Sequence, residues 1–283
     1  MNKLRVVQYE ELNNPYYNMA VEEAIPRVLE NSEKGSNIAI LRLWRNSNTI
    51  VIGRFQYPRL EININSSQKY NTYFVRRFTG GGAVYHDLGN LNFALSFTSD
   101  FSQHKDIKEA YEYVGGGIIH SLEKLGIKAQ FAPINDIEID HKKISGMAAS
   151  KLKNGYFVHG TLMISSDLSI LSEVLNVPKV KLDAKAVQSV RKRVTTLKEE
   201  LNSDLSYNEI IKILINGFSE YFKCDATIDS LSKEEKNMSD ILYRDRYSTI
   251  DWNMGEEYKV RKELYQQFTE LFESSLKKVK NVY

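Results

Sequence analysis

The chain has 283 residues, 42% of them hydrophobic, enough for one large domain or two small ones around a sizeable core. Its 38 basic and 36 acidic residues leave a formal charge of +2, which argues against a general nucleic-acid or membrane-surface binder but leaves a local basic patch open. A single cysteine, Cys224, excludes an intramolecular disulfide and a cysteine-based metal site. Met1 to Arg5 carries charge with no apolar run behind it, so no signal peptide is expected. No run approaches the roughly 18 apolar residues of a membrane span, so the expectation is a soluble, cytoplasmic protein.

Arg5 to Tyr9 reads as a short strand. Asn14 is placed to cap a helix starting near Tyr16, in which Tyr17, Ala20, Val21, Ala24, Ile25, Val28 and Leu29 keep helical spacing. Pro26 interrupts that pattern. Ile38 to Trp44 and Thr49 to Gly53 read as two strands joined by a turn, and Tyr57 to Tyr70 as mostly helix. Thr72–Arg76 and Ala83–His86 read as strands. Asn90 to Thr98 alternates Leu91, Phe93, Leu95 and Phe97 against smaller or polar residues, the pattern of a half-buried strand. Asp106 to Leu125 is a helix ended by Gly126. Four further strands follow: Ile127–Ala132, Asp136–Ile139, Lys143–Ser150 and Tyr156–Ile164. Asp167 caps a short helix to Leu175. Leu182 to Thr196 is polar and basic, and Asn208–Phe222 and Lys233–Tyr247 are helices. After Trp252 come 31 residues, most of them one helix with a stripe of Leu264, Phe268, Leu271, Phe272 and Leu276. Mixed strands and helices with hairpin-length turns, five scattered prolines and no repeat or linker predict an α+β fold, a mixed β-sheet backed by helices.

Between the two strands that flank it, Arg76-Arg77-Phe78-Thr79-Gly80-Gly81-Gly82 sets two cations against three consecutive glycines. Three glycines are costly to order, so the chain either turns sharply here or needs bare backbone against a ligand. In the second case the N–H groups form a nest for an anion and the arginines add forks for phosphate or carboxylate. His86, Asp87 and Asn90 follow at once. A second triplet, Gly115-Gly116-Gly117, has no cation nearby and sits in an amphipathic helix, where small residues permit close helix packing.

The stretch Arg76-Arg77-x-Thr79-Gly80-Gly81-Gly82-Ala83-Val84-x-His86-Asp87-x-Gly89-Asn90 resembles the signature of lipoate–protein ligases, within the biotin/lipoate ligase and octanoyltransferase superfamily. Asn18-Met19-Ala20-Val21-Glu22-Glu23 resembles that family's N-terminal helix, and Leu43-Trp44 with Val51-Ile52-Gly53-Arg54-Phe55-Gln56 its preceding strand pair. Asn135-Asp136, Lys143-Ile144-Ser145-Gly146-Met147-Ala148 and His159-Gly160-Thr161-Leu162 resemble its second active-site half. The resemblance runs from about Tyr9 to Trp252. It implies the biotin/lipoate ligase catalytic-domain fold over residues 1–255, with 256–283 as a C-terminal amphipathic helix in place of the second domain that many lipoate ligases carry.

The implied activity is ATP- and Mg²⁺-dependent activation of lipoate to lipoyl-AMP, then transfer to a lysine of a carrier. The implied carriers are lipoyl domains of 2-oxoacid dehydrogenase acyltransferase subunits or the glycine-cleavage H protein. A separate accessory subunit is either required or partly replaced by the tail helix, whose Leu264–Phe268–Leu271 stripe either docks a partner or packs back on the body. By the resemblance Lys143 is the catalytic lysine, its ammonium offsetting the charge of a carboxylate meeting an α-phosphate. Lys142 belongs on the opposite strand face.

Arg76, Arg77, Gly80, Gly81, Gly82, Ala83, Val84, Tyr85, His86, Asn90, Asn135, Gly146, His159 and Thr161 are the matching ATP/lipoyl-AMP positions. Asp136 is either a Mg²⁺ ligand or a clamp on Lys143. His86 and His159 are either bases or hydrogen-bonded structural histidines, and Asp87 and Asn90 are expected to brace the glycine loop. Trp44, Phe55, Tyr85 and Phe93 are candidate walls for the acyl chain. Arg191-Lys192-Arg193 either clamps phosphate, faces an acidic carrier, or is a solvated face. Two other readings remain: an ATP-independent octanoyl or lipoyl transferase, which in its cysteine-dependent form needs a thiol nucleophile, and a non-catalytic carrier-binding relative.

Overall fold

The computed structural model describes residues 2–31, 37–102, 106–176, 194–203 and 205–280. Arg191-Lys192-Arg193 lies outside the described residues. In chain order the elements are β1 (Lys3–Val7), α1 (Pro15–Leu29), β2 (Ile38–Trp44), β3 (Thr49–Ile52), α2 (Pro58–Glu61), α3 (Ile64–Tyr70), β4 (Tyr73–Arg76), β5 (Val84–His86) and β6 (Asn90–Thr98). Then come α4 (Ile107–Glu123), β7 (Gln130–Ala132), β8 (Asp136–Ile139), β9 (Lys142–Leu152), β10 (Gly155–Met163) and α5 (Leu168–Val174). The remainder is mainly helical, with β11 (Ala226–Asp229) as an unforeseen edge strand and helices at Tyr207–Phe222, Lys233–Leu242 and Gln266–Lys280.

The strands form one eight-stranded sheet, β11-β1-β2-β6-β10-β9-β8-β7, and one three-stranded sheet, β4-β3-β5. β1 pairs in parallel with β2 and β11, and the rest of the large sheet is antiparallel. This is the expected mixed α+β architecture. β2 and β3 are strands joined by a turn, as expected, but they enter different sheets. The turn does not close a hairpin because Asn18 on α1 seizes it: Asn18 Nδ2 donates to Asn46 Oδ1 at 2.8 Å and to the Arg45 carbonyl. Asn48 then takes a left-handed φ of 35° and redirects the chain. α1 itself starts where Asn14 accepts from the Tyr17 amide, and it runs through Pro26.

Every position of β6 is buried, not one face only. Leu91, Phe93, Leu95 and Phe97 join the main core beneath α4 and the Tyr207–Phe222 helix. The polar set faces α1, which lies over the other side of the sheet and binds it through Arg42 and His159. The glycines of α4 serve packing: a Cβ on Gly117 would sit 2.3 Å from Phe218 Cε1, and one on Gly116 2.2 Å from Tyr221 Oη. Gly117→Ala is therefore expected to lower stability by about 1–3 kcal/mol despite alanine's better helix propensity. A urea titration checks this, and a stabilised variant would refute the packing role.

The tail packs back on the body. Phe268, Leu271, Phe272 and Val279 join Tyr16, Ile52 and Phe74 in a second core, with Tyr16 and Phe272 rings 5.4 Å apart at 77°. Burial of each such side chain contributes about 1.5–3 kcal/mol. Of the stripe considered for docking, only Leu264 stays exposed, at 45%.

Candidate active site

Strand register assembles the site floor. Asp136, Gly146, Thr161, Asn92 and Trp44 are successive cross-strand neighbours on β8, β9, β10, β6 and β2, so they share one face. Two residues along, Ala148, His159, Ala94 and Arg42 form a second row on that face. Met19 and Glu22 of α1 and the glycine loop close over these rows. The result is a cavity of about 160 Å³.

Arg77 shapes the loop. Its Nη2 donates to the carbonyls of Gly80 (2.7 Å) and Gly82 (2.8 Å), its Nε to Thr79 Oγ1 (3.1 Å), and its Nη1 to the Val51 carbonyl. With those carbonyls turned inward, the N–H groups of Gly81 and Ala83 in the same planar peptides point away from the arginine. Gly81 needs its φ of 90°, and its carbonyl passes so close that a Cβ on Gly53 would lie 2.1 Å from it. Burial lowers the Arg77 guanidinium to about 10, so it stays charged at neutral pH.

Lys143 reaches the cavity from the other side. Its Nζ pairs with Asp136 Oδ1 at 2.8 Å, and both side chains remain partly exposed. Gly146 makes this possible, because a Cβ there would stand 2.6 Å from Lys143 Nζ. The Thr195 amide holds the Lys143 carbonyl at 2.9 Å. Lys142, on the opposite face as expected, pairs with Glu200. Asn135 bonds the Met147 carbonyl and fastens β8 to β9. Asp136 is thus placed as a clamp on Lys143. Among the described residues no group of three His, Cys, Asp or Glu is placed to hold a metal ion.

Both histidines line the cavity, in contrasting settings. His159 Nε2 lies 2.7 Å from Thr79 Oγ1, and its Nδ1 meets Glu22, which also pairs with Arg42. This chain ties the glycine loop to α1. His86 faces Asn46 through Nδ1, and burial, with the charges of Arg77 and His159, lowers it to about 3. Between the ordinary imidazole value of 6.5 and about 3, the unfolded chain holds a proton there that the folded chain refuses. The stability contributed by neutral His86 is thus complete above that window and lost as pH falls through it, by up to ~1.4 kcal/mol per pH unit. His86→Phe is expected to flatten the stability-versus-pH curve there, as urea midpoints at stepped pH would reveal; an unchanged slope would contradict it.

Arg77, Gly81, Gly82, Ala83, Val84, His86, Asn135, Lys143, Gly146, His159 and Thr161 all line the cavity. Gly80 stands just outside. Tyr85 alternates to the opposite face from Val84 and His86 and bonds Asn48 at 3.0 Å. Asn90 lies behind the wall and donates to Asn92.

Arg76 requires a correction. It is 2% exposed and its donors go to the backbone carbonyls of Gly53, Arg54, Gln56, Trp252, Asn253 and Met254, so it offers no fork to an anion. Asp87 braces Gly89 and the Asp167 amide, not the glycine loop. Of the candidate acyl walls only Trp44 lines the cavity; Phe93 and Tyr85 are core, and Phe55 is 78% exposed. Cys224 is half-buried, off the cavity, with its thiol pushed up by burial, and so is no candidate nucleophile for this site. Met19, Glu22, Asn92 and Ala148 were not foreseen as lining residues. Met19, Glu22 and Ala148 lie within motif stretches already singled out in the sequence, whereas Asn92 had only its place as a polar residue in the alternation of β6.

Comparison with known proteins places this geometry. The lipoyl protein ligase A/B catalytic domain matches residues 14–219. A probable lipoate-protein ligase A of Mycoplasma pneumoniae is 35% identical over 243 residues, covering 86% of this chain and 69% of that protein. A solved chain from the bipartite lipoate protein ligase of Thermoplasma acidophilum, studied with its E2 lipoyl domain, superposes with a TM-score of 0.82. It is 34% identical and the match covers 90% of this chain and 97% of that one. A lipoate-protein ligase A bound with ATP gives a TM-score of 0.78 at 33% identity, over 90% of this chain and 99% of that one.

Proposed function

The chain belongs to the lipoyl protein ligase A/B catalytic-domain family, and on that premise we propose that it activates lipoate with ATP to lipoyl-AMP and passes the lipoyl group to a carrier lysine. The observation that carries this reading is the Lys143 ammonium, braced by Asp136 beside a cavity roofed by the glycine loop. A carboxylate oxygen of lipoate attacks the α-phosphorus, the bond to the β-phosphate breaks, and pyrophosphate leaves with the electron pair. The carrier amine then attacks the acyl carbonyl, loses a proton, and AMP leaves with its electron pair.

Lys143 offsets the repulsion of the two anions in the first step, and Asp136 aims it. The outward N–H groups of Gly81 and Ala83 supply donors to phosphate or carboxylate oxygens. Arg77 acts by fixing the loop, and Asn135, Gly146 and Thr161 complete the floor. Magnesium arriving with the nucleotide would neutralise phosphate charge, and Asp136 is the carboxylate of the cavity rim that would help hold it.

The carriers in this reading are lipoyl domains of 2-oxoacid dehydrogenase complexes or the glycine-cleavage H protein. A separate accessory subunit takes part, in line with the two-part Thermoplasma enzyme. Residues 1–255 are the catalytic body and 256–283 its helical extension. A cytoplasmic location belongs to the same proposal; among the described residues no helix is long and apolar enough to cross a membrane. Incubating the purified protein with lipoate, ATP, Mg²⁺ and apo-carrier, with accessory subunit supplied, is expected to give lipoyl-AMP and a carrier mass increase. Absence of both would overturn the reading.

A further inference from the structure

We propose that Thr195, which does not line the cavity, is a positioning residue that aims Lys143 by closing the open edge of a β-bulge. This rests on the ligase reading and deepens it.

Regular strand alternation would send Lys143 away from the cavity. Residues three apart on a strand face opposite sides, and Lys143 stands three before Gly146. Yet a Cβ on Gly146 would lie 2.6 Å from Lys143 Nζ, so the two share the cavity side. The register accounts for this. Ile137 of β8 pairs with Ser145 of β9, but Glu138 pairs with Lys143, which leaves Ile144 as an extra residue. A bulge of this kind re-aims the side chains beside it. Ile144 drops into the main core at 0% exposure, and Lys143 turns to meet Asp136.

The other edge of β9 is open at the same place, because β10 stays paired with β9 only as far as Ser145. Val194 and Thr195 take up that edge. Val194 bridges Lys143 in parallel, and the Thr195 amide donates to the Lys143 carbonyl at 2.9 Å. Thr195 is 0% exposed and is itself fixed. Its hydroxyl donates to Glu200 Oε1 at 2.6 Å, with Glu199 Oε2 at 3.1 Å, both on the helix Leu197–Leu201. Leu197 anchors that helix in the main core, and the Lys198 amide donates to the Ile164 carbonyl at 2.9 Å. The link thus runs from the core through one hydroxyl and one amide to the backbone of the lysine. Lys142 adds only a half-exposed pair with Glu200.

Thr195→Val keeps the volume and removes the hydroxyl. It is expected to lower kcat for adenylate formation about tenfold, with KM for ATP and lipoate shifting by less than about twofold. A displacement of about 1 Å at the ammonium misplaces its charge without touching either substrate. Thr195→Ser, which keeps the hydroxyl, is expected to restore kcat to within about twofold of wild type. In a Lys143→Met background Thr195→Val should cost nothing further, as single-turnover pyrophosphate release would show, whereas general damage to the sheet slows both backgrounds alike. Glu200→Met is the second probe, with about threefold loss expected because Glu199 remains as an acceptor. A Thr195→Val kcat within about twofold of wild type overturns the proposal, and so does an equal loss with and without Lys143. If the valine variant does not fold, an undiminished kcat in Glu200→Met overturns it instead. A wild type that makes no lipoyl-AMP overturns the ligase reading, and this proposal with it.

Discussion

Lys143→Met is expected to slow adenylate formation by about a thousandfold. An ammonium about 4 Å from a developing charge is worth on the order of 4 kcal/mol at an effective dielectric near 20, and each 1.4 kcal/mol is a factor of ten. The side chain is partly exposed and makes one ion pair, so its loss should leave the unfolding midpoint nearly unchanged. Lys142→Met is the matched control, because Lys142 points to the other face of β9 toward Glu200. Pyrophosphate release at saturating ATP and lipoate separates the two. A Lys143 variant within tenfold of wild type would remove the electrostatic role. An equal loss in both variants would show damage to β9 rather than to chemistry.

What could be read from the chain beforehand was local. The Asn14 and Asp167 caps, the α4 glycines and the opposed faces of Lys142 and Lys143 each depend on neighbours a few residues away. The ordered motifs then located the site, and the cavity gathers most of their residues. What escaped is long-range. Nothing near β2 and β3 tells that Asn18 holds the turn between them and sends them to separate sheets. β6 alternates as a half-exposed strand does, yet α1 covers its polar face, and that burial turns Asn92 into cavity wall. Glu22 belongs to a recognisable stretch of α1, but nothing near it shows that His159, 137 residues on, is its partner. Adjacent arginines look equivalent in sequence, but strand alternation sends Arg77 to the loop and Arg76 to the opposite side.

That last difference sets the second large effect. Arg76→Met is expected to lower stability by about 3–5 kcal/mol, roughly 10 °C in Tm. The guanidinium joins two distant segments, donating to Gly53, Arg54 and Gln56 on one side and to Trp252, Asn253 and Met254 on the other, at 2.7–3.1 Å. Removing it orphans six buried or half-buried carbonyls while the methionine fills the volume, so the loss reports hydrogen bonds more than a cavity. Lysine would not rescue it, since one ammonium cannot span the carbonyls that a planar fork reaches from both edges. Gly255 fits the same constraint: a Cβ there would stand 2.7 Å from Arg76 Nη2. Were Arg76 a phosphate ligand, its replacement would raise the KM for ATP and leave unfolding unchanged. The urea midpoint is instead expected to fall sharply. At temperatures where the variant stays folded, KM for ATP should change less than kcat, because Gly53, which Arg76 anchors, is the residue over which the Gly81 carbonyl must pass.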